Sequence, residues 1–140
     1  MKKELDVKLL DFSCRGDKRG YLTIIEGNTT IPFDIKRIFY IYGTEKGILR
    51  GQHSNRKTEF VLISISGSCK VSVKDGLGNE EIYYLDNPNE GLYLPKMLWK
   101  EMYDFSEDCI LLVLASEHYD AEEYIRNFEE LQEEMSKNCG

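Results

Sequence analysis

The chain has 140 residues, a formal net charge of −7 and a 41% share of hydrophobic residues. This length and composition fit one domain with a real hydrophobic core and exclude a natively disordered chain. The acidic balance argues against non-specific binding to nucleic acid or to an anionic membrane, although a local basic cluster can still hold one small anion. No apolar run approaches the ~20 residues needed to span a bilayer, and no signal-peptide pattern opens the chain, so we expect a cytoplasmic location.

Short apolar or alternating runs, broken by turn residues, extend from residue 5 to residue 116. Many strands at roughly 8–12-residue spacing without helices between them indicate a sandwich or a barrel. Residues 14–20 are predicted as a polar loop and residues 75–78 as a hairpin turn. The predicted strands are residues 5–12, 21–26, 36–42, 60–66, 68–73, 81–85, 91–94, 99–105 and 109–115.

The hydrophobic period changes near the C-terminus. In residues 121–135, apolar side chains recur at helical spacing, and they are Tyr124, Ile125, Phe128, Leu131 and Met135. Asp120 is the predicted N-cap, and Glu123 lies three residues later, as in a capping box. We therefore predict a single all-β domain over residues 1–140, with a barrel at about 5–116 and a short C-terminal α-helix at about 120–136.

The four cysteines, Cys14, Cys69, Cys109 and Cys139, show no CxxC spacing. In a reducing compartment this pattern predicts free thiols rather than disulfides or a zinc site. Cys69 and Cys109 lie within apolar strands, so we expect them in the core.

The most informative stretch is residues 47–59, followed by a glycine at 67. Cupins carry a glycine, five residues, His-x-His, a short spacer, a glutamate and a later glycine. Gly47, His53, the Asn55 position and Glu59 match that spacing, and Gly67 is one residue late. Residues two apart on a strand project to the same side, so His53 and Asn55 should both face the barrel interior.

The same stretch argues against a bound metal. A metal-binding cupin uses both motif histidines, the glutamate and a further histidine, whereas this chain has only His53 and His118. Asparagine is a poor substitute ligand for a transition metal. We therefore predict a site without a metal or any other cofactor.

The remaining groups suit proton transfer beside a carbonyl. His53 can take and return a proton near neutral pH. Tyr40, Tyr42 or Arg50 could stabilise the enolate oxygen that develops, and Arg50 could bind an anion. Asn55 can donate and accept hydrogen bonds but cannot act as a base near neutral pH.

Several segments together resemble the dTDP-4-oxo-6-deoxyglucose 3,4-ketoisomerase family over nearly the whole chain. The resemblance implies a cupin-fold homodimer with exchanged N-terminal strands and no cofactor. It also implies conversion of a dTDP-linked 4-oxo-6-deoxy sugar to its 3-oxo isomer, on the way to 3-amino sugars of surface polysaccharides. The matching segments are RGYL at 19–22, IPFDIKRIFY at 31–40, RGQH at 50–53, GSCKV at 67–71, DG at 75–76, GLYLP at 91–95, WKEM at 99–102, LAS at 114–116 and YDAEEYIR at 119–126.

The resemblance and the residue chemistry together give a predicted site. The predicted catalytic residues are His53, Tyr40 and Asn55, and the predicted substrate-binding residues are Arg50, Tyr42, Arg19 and Lys100. The family usually has a second histidine where this chain has Asn55, and often a histidine where it has Lys100. Reprotonation at C4 of the sugar could come from His53, a tyrosine or a water held by Asn55. Two alternatives stay open: a non-catalytic sugar-nucleotide binding protein, and an isomerase or epimerase of another nucleotide sugar.

Overall fold

The structure is a computed structural model that describes residues 5–139. The predicted domain bounds of 1–140 extend beyond these residues at both ends. No described helix is long and apolar enough to cross a membrane. The elements are β1 Lys8–Asp11, β2 Ser13–Asp17, β3 Gly20–Ile24, β4 Arg37–Tyr42, β5 Arg50–Asn55, β6 Phe60–Ser66, β7 Cys69–Lys74, β8 Glu80–Leu85, β9 Glu90–Leu94, β10 Trp99–Tyr103, β11 Ile110–Ala115, a 3₁₀ turn Ala121–Glu123, β12 Tyr124–Ile125 and α1 Phe128–Cys139.

Two antiparallel five-stranded sheets form the body of the protein. The first has the strand order β1-β9-β6-β11-β4 and the second the order β12-β5-β10-β7-β8. From β4 to β12 the chain alternates between the two sheets, except at the β7–β8 hairpin. This alternation is the double-stranded β-helix, or jelly roll, of cupins. The predicted fold class, all-β with a short C-terminal helix, is therefore confirmed.

The main core lies between the two sheets. Phe60 and Leu62 of β6 contribute to it from the first sheet, and Val71 and Val73 of β7 from the second. Cys69 and Cys109 are also buried there with 0% and 4% of their surface exposed, as predicted. Strand side chains alternate between faces, so the inner residues of strands from both sheets meet in this layer.

The outer face of each sheet is also covered. Val61 and Ile63 of β6 project from the first sheet onto Phe12, Ile31 and Phe33 of the N-terminal region. This double burial explains why β6 is a continuous apolar run rather than an alternating one.

Helix α1 covers the outer face of the second sheet. Leu131 is fully buried against Trp99 of β10 and Ile125 of β12. The centroids of the Trp99 and Phe128 rings are 5.6 Å apart. The helical spacing in the sequence is thus real, but it belongs to residues 128–135 only.

The predicted helix start and capping box are wrong. Asp120 caps a single 3₁₀ turn by accepting a hydrogen bond from the Glu122 amide at 3.1 Å. The Glu123 carboxylate instead accepts hydrogen bonds from the backbone amides of Lys57 and Thr58 at 3.0 and 3.1 Å. Glu123 thus satisfies backbone donors that follow β5, and the helix begins only at Phe128.

The structure also departs from the prediction at residues 14–20, for which the sequence predicts a loop. Ser13–Asp17 pairs with Gly20–Ile24 as a two-stranded hairpin that is separate from both sheets. Its outermost side chains are exposed, with 87% of Tyr21 and 58% of Leu22 accessible to solvent. Strands are recognised in a sequence by an apolar face. Neither face of this hairpin is buried within the chain, so its polar residues resemble a loop.

Candidate active site

A cavity of about 320 Å³ opens between the two sheets. Its walls are largely apolar and aromatic, and its polar side chains are few, as is usual for small-molecule sites. Arg50, His53 and Lys100 provide the charged or titratable side chains other than tyrosine. The full lining is Phe39, Tyr40, Ile41, Arg50, Gly51, His53, Phe60, Leu62, Lys100, Met102, Val113 and Tyr124.

A β-bulge in β5 shapes one wall of this cavity. In the pairing of β5 with β10, Lys100 lies opposite His53 and Glu101 lies opposite Gly51, so Gln52 has no partner. Gly51 and Gln52 both have positive φ, of 86° and 58°. A Cβ on Gly51 would lie 2.8 Å from the Lys100 carbonyl oxygen, so only glycine fits there.

The bulge fixes the tautomer of His53. The His53 Nδ1 is 3.1 Å from the Gly51 carbonyl oxygen, which can only accept a hydrogen bond. Nδ1 therefore carries the proton, and Nε2 of the neutral ring keeps a free lone pair. The Tyr124 ring, with its centroid 4.9 Å from that of His53, packs beside the imidazole.

The surroundings also keep His53 neutral. Burial and the nearby Lys100 lower the pKa of His53 to about 4, against the smaller raising effect of the Gly51 hydrogen bond. At neutral pH the ring is therefore unprotonated. A neutral imidazole with a free Nε2 is the form required of a general base.

Lys100 lies deeper, next to Asn55. Its Nζ donates a hydrogen bond to Asn55 Oδ1 at 3.1 Å and lies 4.2 Å from the centroid of the Phe60 ring. Burial lowers the pKa of Lys100 to about 7, with Glu123 opposing the shift and Arg37 adding to it. Asn55 is itself 1% exposed and is not one of the residues that line the cavity.

Further cations lie near His53 and Lys100 despite the negative net charge. Burial leaves Nε and Nη2 of Arg37 without a hydrogen-bond partner among the described residues. The Arg37 guanidinium lies 5.3 Å from the ring centroid of Phe39 and 5.7 Å from that of Tyr119. The Arg126 guanidinium lies 4.7 Å from the centroid of the Tyr124 ring. These groups make the region suited to an anionic ligand with a flat ring.

The structure brings together four of the seven predicted site residues: Tyr40, Arg50, His53 and Lys100 line the cavity. Asn55 is joined to it through Lys100. Tyr42 is not part of the lining and is 69% exposed beside Tyr40, with the two ring centroids 5.7 Å apart. The catalytic and binding roles of these residues remain predictions.

Arg19 lies apart from the cavity. It is on the β2–β3 hairpin, where its Nη2 forms an ion pair with Asp17 at 2.6 Å. The two side chains are 90% and 53% exposed. Within one chain, Arg19 therefore does not share a site with His53.

Sequence reasoning gave no role to Arg37, Tyr119, Tyr124 and Arg126. Arg37 projects from the same face of β4 as Phe39 and Ile41. This alternation is the sequence signal that could have identified Arg37 as a site residue. Tyr119, Tyr124 and Arg126 lie in a segment that approaches β5 through β12, which pairs only with Ser54 and Asn55. A two-residue strand is too short to give a periodic pattern in the sequence.

The donor atoms around His53 do not form a metal site. Among residues 5–139, no group of three or more His, Cys, Asp or Glu side chains is arranged to hold a metal ion. The groups that act on His53 are the Gly51 carbonyl, the Lys100 amine, the Arg126 guanidinium and the single Glu123 carboxylate, which are not a ligand set for zinc or iron.

Comparison with known proteins adds independent information. The family model described as "FdtA: WxcM-like, C-terminal" matches residues 5–136. The TDP-4-oxo-6-deoxy-alpha-D-glucose-3,4-oxoisomerase of Aneurinibacillus thermoaerophilus is 43% identical over 133 residues, which cover 95% of each chain.

Solved structures agree with that match. A mutant of the 3,4-ketoisomerase QdtA from Thermoanaerobacterium thermosaccharolyticum, with asparagine in place of one histidine, was solved with TDP-4-keto-6-deoxyglucose. It is 47% identical, with a TM-score of 0.91 and coverage of 94% of this chain and 95% of that one. The TDP-fucose-3,4-ketoisomerase WlaRA from Campylobacter jejuni is 38% identical, with a TM-score of 0.91 and coverage of 97% and 100%. The chain therefore belongs to the FdtA family of WxcM-like C-terminal domains, in which these relatives are sugar 3,4-ketoisomerases.

Proposed function

We propose that this chain is an isomerase that converts a TDP-linked 4-oxo-6-deoxyhexose into its 3-oxo isomer. The observation that carries the proposal is His53, a neutral imidazole with Nε2 free, in a largely apolar cavity between the sheets. The activities named for the relatives act on the same class of substrate.

The surrounding groups suit each part of such a substrate. Arg50 at the cavity, with Arg37 and Arg126 nearby, offers guanidinium groups to the diphosphate, for which bidentate hydrogen bonding is favourable. Tyr40 and Tyr124 offer ring faces to the base or the sugar. The oxo-sugar would then enter the cavity toward His53 and Lys100.

The isomerisation needs no external oxidant or reductant. His53 Nε2 removes the proton at C3, and the electrons of that C–H bond form a C3–C4 double bond. The C4 oxygen takes a proton, which gives an enediol. Protonation at C4 and loss of the C3 hydroxyl proton then yield the 3-oxo sugar. C3 is oxidised and C4 is reduced within one molecule, so a redox cofactor is not required.

The direct test is to incubate the protein with TDP-4-oxo-6-deoxyglucose and follow the carbonyl carbon by ¹³C NMR. We expect the resonance to move from C4 to C3. A substrate that binds but stays unchanged would favour the alternative of a sugar-nucleotide binding protein. A substrate that does not bind would indicate a different nucleotide sugar.

Activity should survive removal of metals. Because the residues around His53 lack a metal-ligand set, exhaustive chelation with EDTA should leave turnover within the error of the assay. Metal content before and after treatment is the control. Loss of turnover that zinc or iron restores would contradict the metal-free proposal.

We also propose a homodimer that exchanges N-terminal strands. Within the chain, β1 already pairs with β9 at the edge of the first sheet, so the strands available for exchange are those of the β2–β3 hairpin, which would pair with the open edge of the partner's β1. The β2–β3 hairpin stands apart with Tyr21 and Leu22 exposed, and an isolated hairpin of this kind has little stability alone.

A dimer mass by light scattering at micromolar concentration is the expected result. Leu22→Asp on the exposed hairpin should shift the mass toward the monomer, because it places a charge in the proposed contact. A monomer for the unmodified chain would contradict the dimer.

The remaining parts of the proposal concern context. A single domain in the cytoplasm, where activated sugars are made, would supply the 3-oxo sugar to an aminotransferase. The final product would be a 3-amino-deoxysugar for a surface polysaccharide. Finding genes for an aminotransferase and an acyltransferase beside this one would support that placement.

A further inference from the structure

Lys100 and His53 are direct neighbours across two strands. Lys100 of β10 lies opposite His53 of β5 in the strand pairing. Opposite residues of antiparallel strands project to the same face, with their Cβ atoms about 4.5–5.5 Å apart. Both side chains line the same cavity. One ligand can therefore contact both.

The Lys100 amine is buried without an ion-pair partner. The residue is 6% exposed, and no described carboxylate lies within 4.0 Å of Nζ. Its contacts are Asn55 Oδ1 and the Phe60 ring. The charged or titratable groups that act on it from the packed elements are His53, Glu123 and Arg37. A buried amine in such a setting releases a proton readily near neutral pH, unlike an exposed lysine.

Other donors for C4 are less suited. Tyr42 does not line the cavity, and Tyr40 is 61% exposed at its rim. Asn55 cannot act as an acid, and its Oδ1 is already the acceptor for Lys100. Tyr124 packs against the His53 ring and is the one cavity phenol besides Tyr40 in the described chain, so it is the donor that variants must distinguish from Lys100.

We propose that Lys100 is a second catalytic residue, which delivers the proton to C4 of the sugar. The inference rests on the proposed function. His53 takes the proton from C3 and passes it to the C4 oxygen, which forms the enediol and restores the neutral imidazole. The Lys100 ammonium then gives a proton to C4, whose new C–H bond uses the electrons of the C3–C4 double bond. The C3 hydroxyl proton returns to the Lys100 amine, so both residues end as they began.

Because His53 acts at C3 and Lys100 at C4, this proposal predicts that exchange of the C3 proton can be separated from protonation at C4. Lys100→Met removes the donor but fills the same buried space with an apolar chain of similar length. In deuterated buffer it should still exchange the C3 proton of TDP-4-oxo-6-deoxyglucose, through His53. Formation of the 3-oxo isomer should fall by at least ~100-fold, the usual contribution of general acid catalysis.

Two further variants make the test specific. Lys100→Arg keeps a positive charge that does not release its proton, so it should also exchange at C3 and fail to isomerise. If Lys100→Met does not fold, Lys100→Arg alone provides the test. Lys70→Met, which removes a half-exposed lysine paired with Asp104 on the adjacent strand, should behave as wild type.

Several results would overturn the assignment. Isomerisation by folded Lys100→Met or Lys100→Arg at the wild-type rate would show that another group delivers the proton. Loss of both exchange and isomerisation would place Lys100 in binding or in the first step. Exchange without isomerisation in Tyr124→Phe, but not in Lys100→Met, would assign the proton to Tyr124. A wild type that neither exchanges nor isomerises would instead refute the proposed function.

Discussion

Replacing His53 by asparagine should lower kcat for isomerisation by ~10²–10⁴-fold while leaving the affinity for TDP nearly unchanged. The substitution removes Nε2 as a base but keeps a polar side chain that fits the half-buried position. The guanidinium groups proposed to hold the diphosphate are untouched. Steady-state turnover and calorimetric titration with TDP measure the two effects separately.

The other histidine of the chain provides the matched control. His118 is exposed and does not line the cavity, so His118→Asn should turn over at the wild-type rate. Near-normal turnover by His53→Asn would show that the imidazole is structural. Loss of TDP binding by His53→Asn would show that it acts chiefly in recognition.

Lys100 should give the protein an unusual dependence of stability on pH. In the folded state burial lowers the pKa of Lys100 to about 7, from its ordinary value of 10.5. Between these two values the unfolded chain holds a proton that the folded chain has released. The unfolded state therefore binds more protons, and the free energy of unfolding rises with pH through this window.

Comparison with Lys100→Met isolates this contribution. The difference in free energy of unfolding, wild type minus variant, should increase by up to about 1.4 kcal/mol per pH unit between about pH 7.5 and 8.5. Urea titrations at a series of pH values measure it. Lys70→Met should parallel the wild type, and a Lys100→Met difference that stays flat with pH would mean that the amine remains charged in the folded protein.

The sequence predicted most of the strands because these bury at least one face, but β2 and β5 are absent from the predicted set. The apolar run of β6 and the turn at residues 75–78 are local signals that the structure confirms. The helix start failed for a non-local reason. Ile125 is fully buried as the partner of Ser54, and Glu123 serves the amides near Thr58, so tertiary contacts override the helical spacing there.

The candidate site was predictable only in part. The alternation of His53 and Asn55 placed both near the cavity, because side-chain direction follows from the strand period. The contact of Lys100 with Asn55 depends on the register of β5 against β10 and on the bulge at Gly51, which no local pattern reveals. The position of Arg37 between the rings of Phe39 and Tyr119 likewise depends on tertiary contacts that no local pattern reveals.

The most direct test of the central claim is the fate of the C3 proton. Wild-type protein and His53→Asn are incubated with TDP-4-oxo-6-deoxyglucose in deuterated buffer, and deuterium in the recovered sugar is located by NMR. The account predicts deuterium at C3 of remaining substrate and at C4 of the product for the wild type, and none for His53→Asn. Equal exchange by both proteins, or exchange by neither, would contradict it.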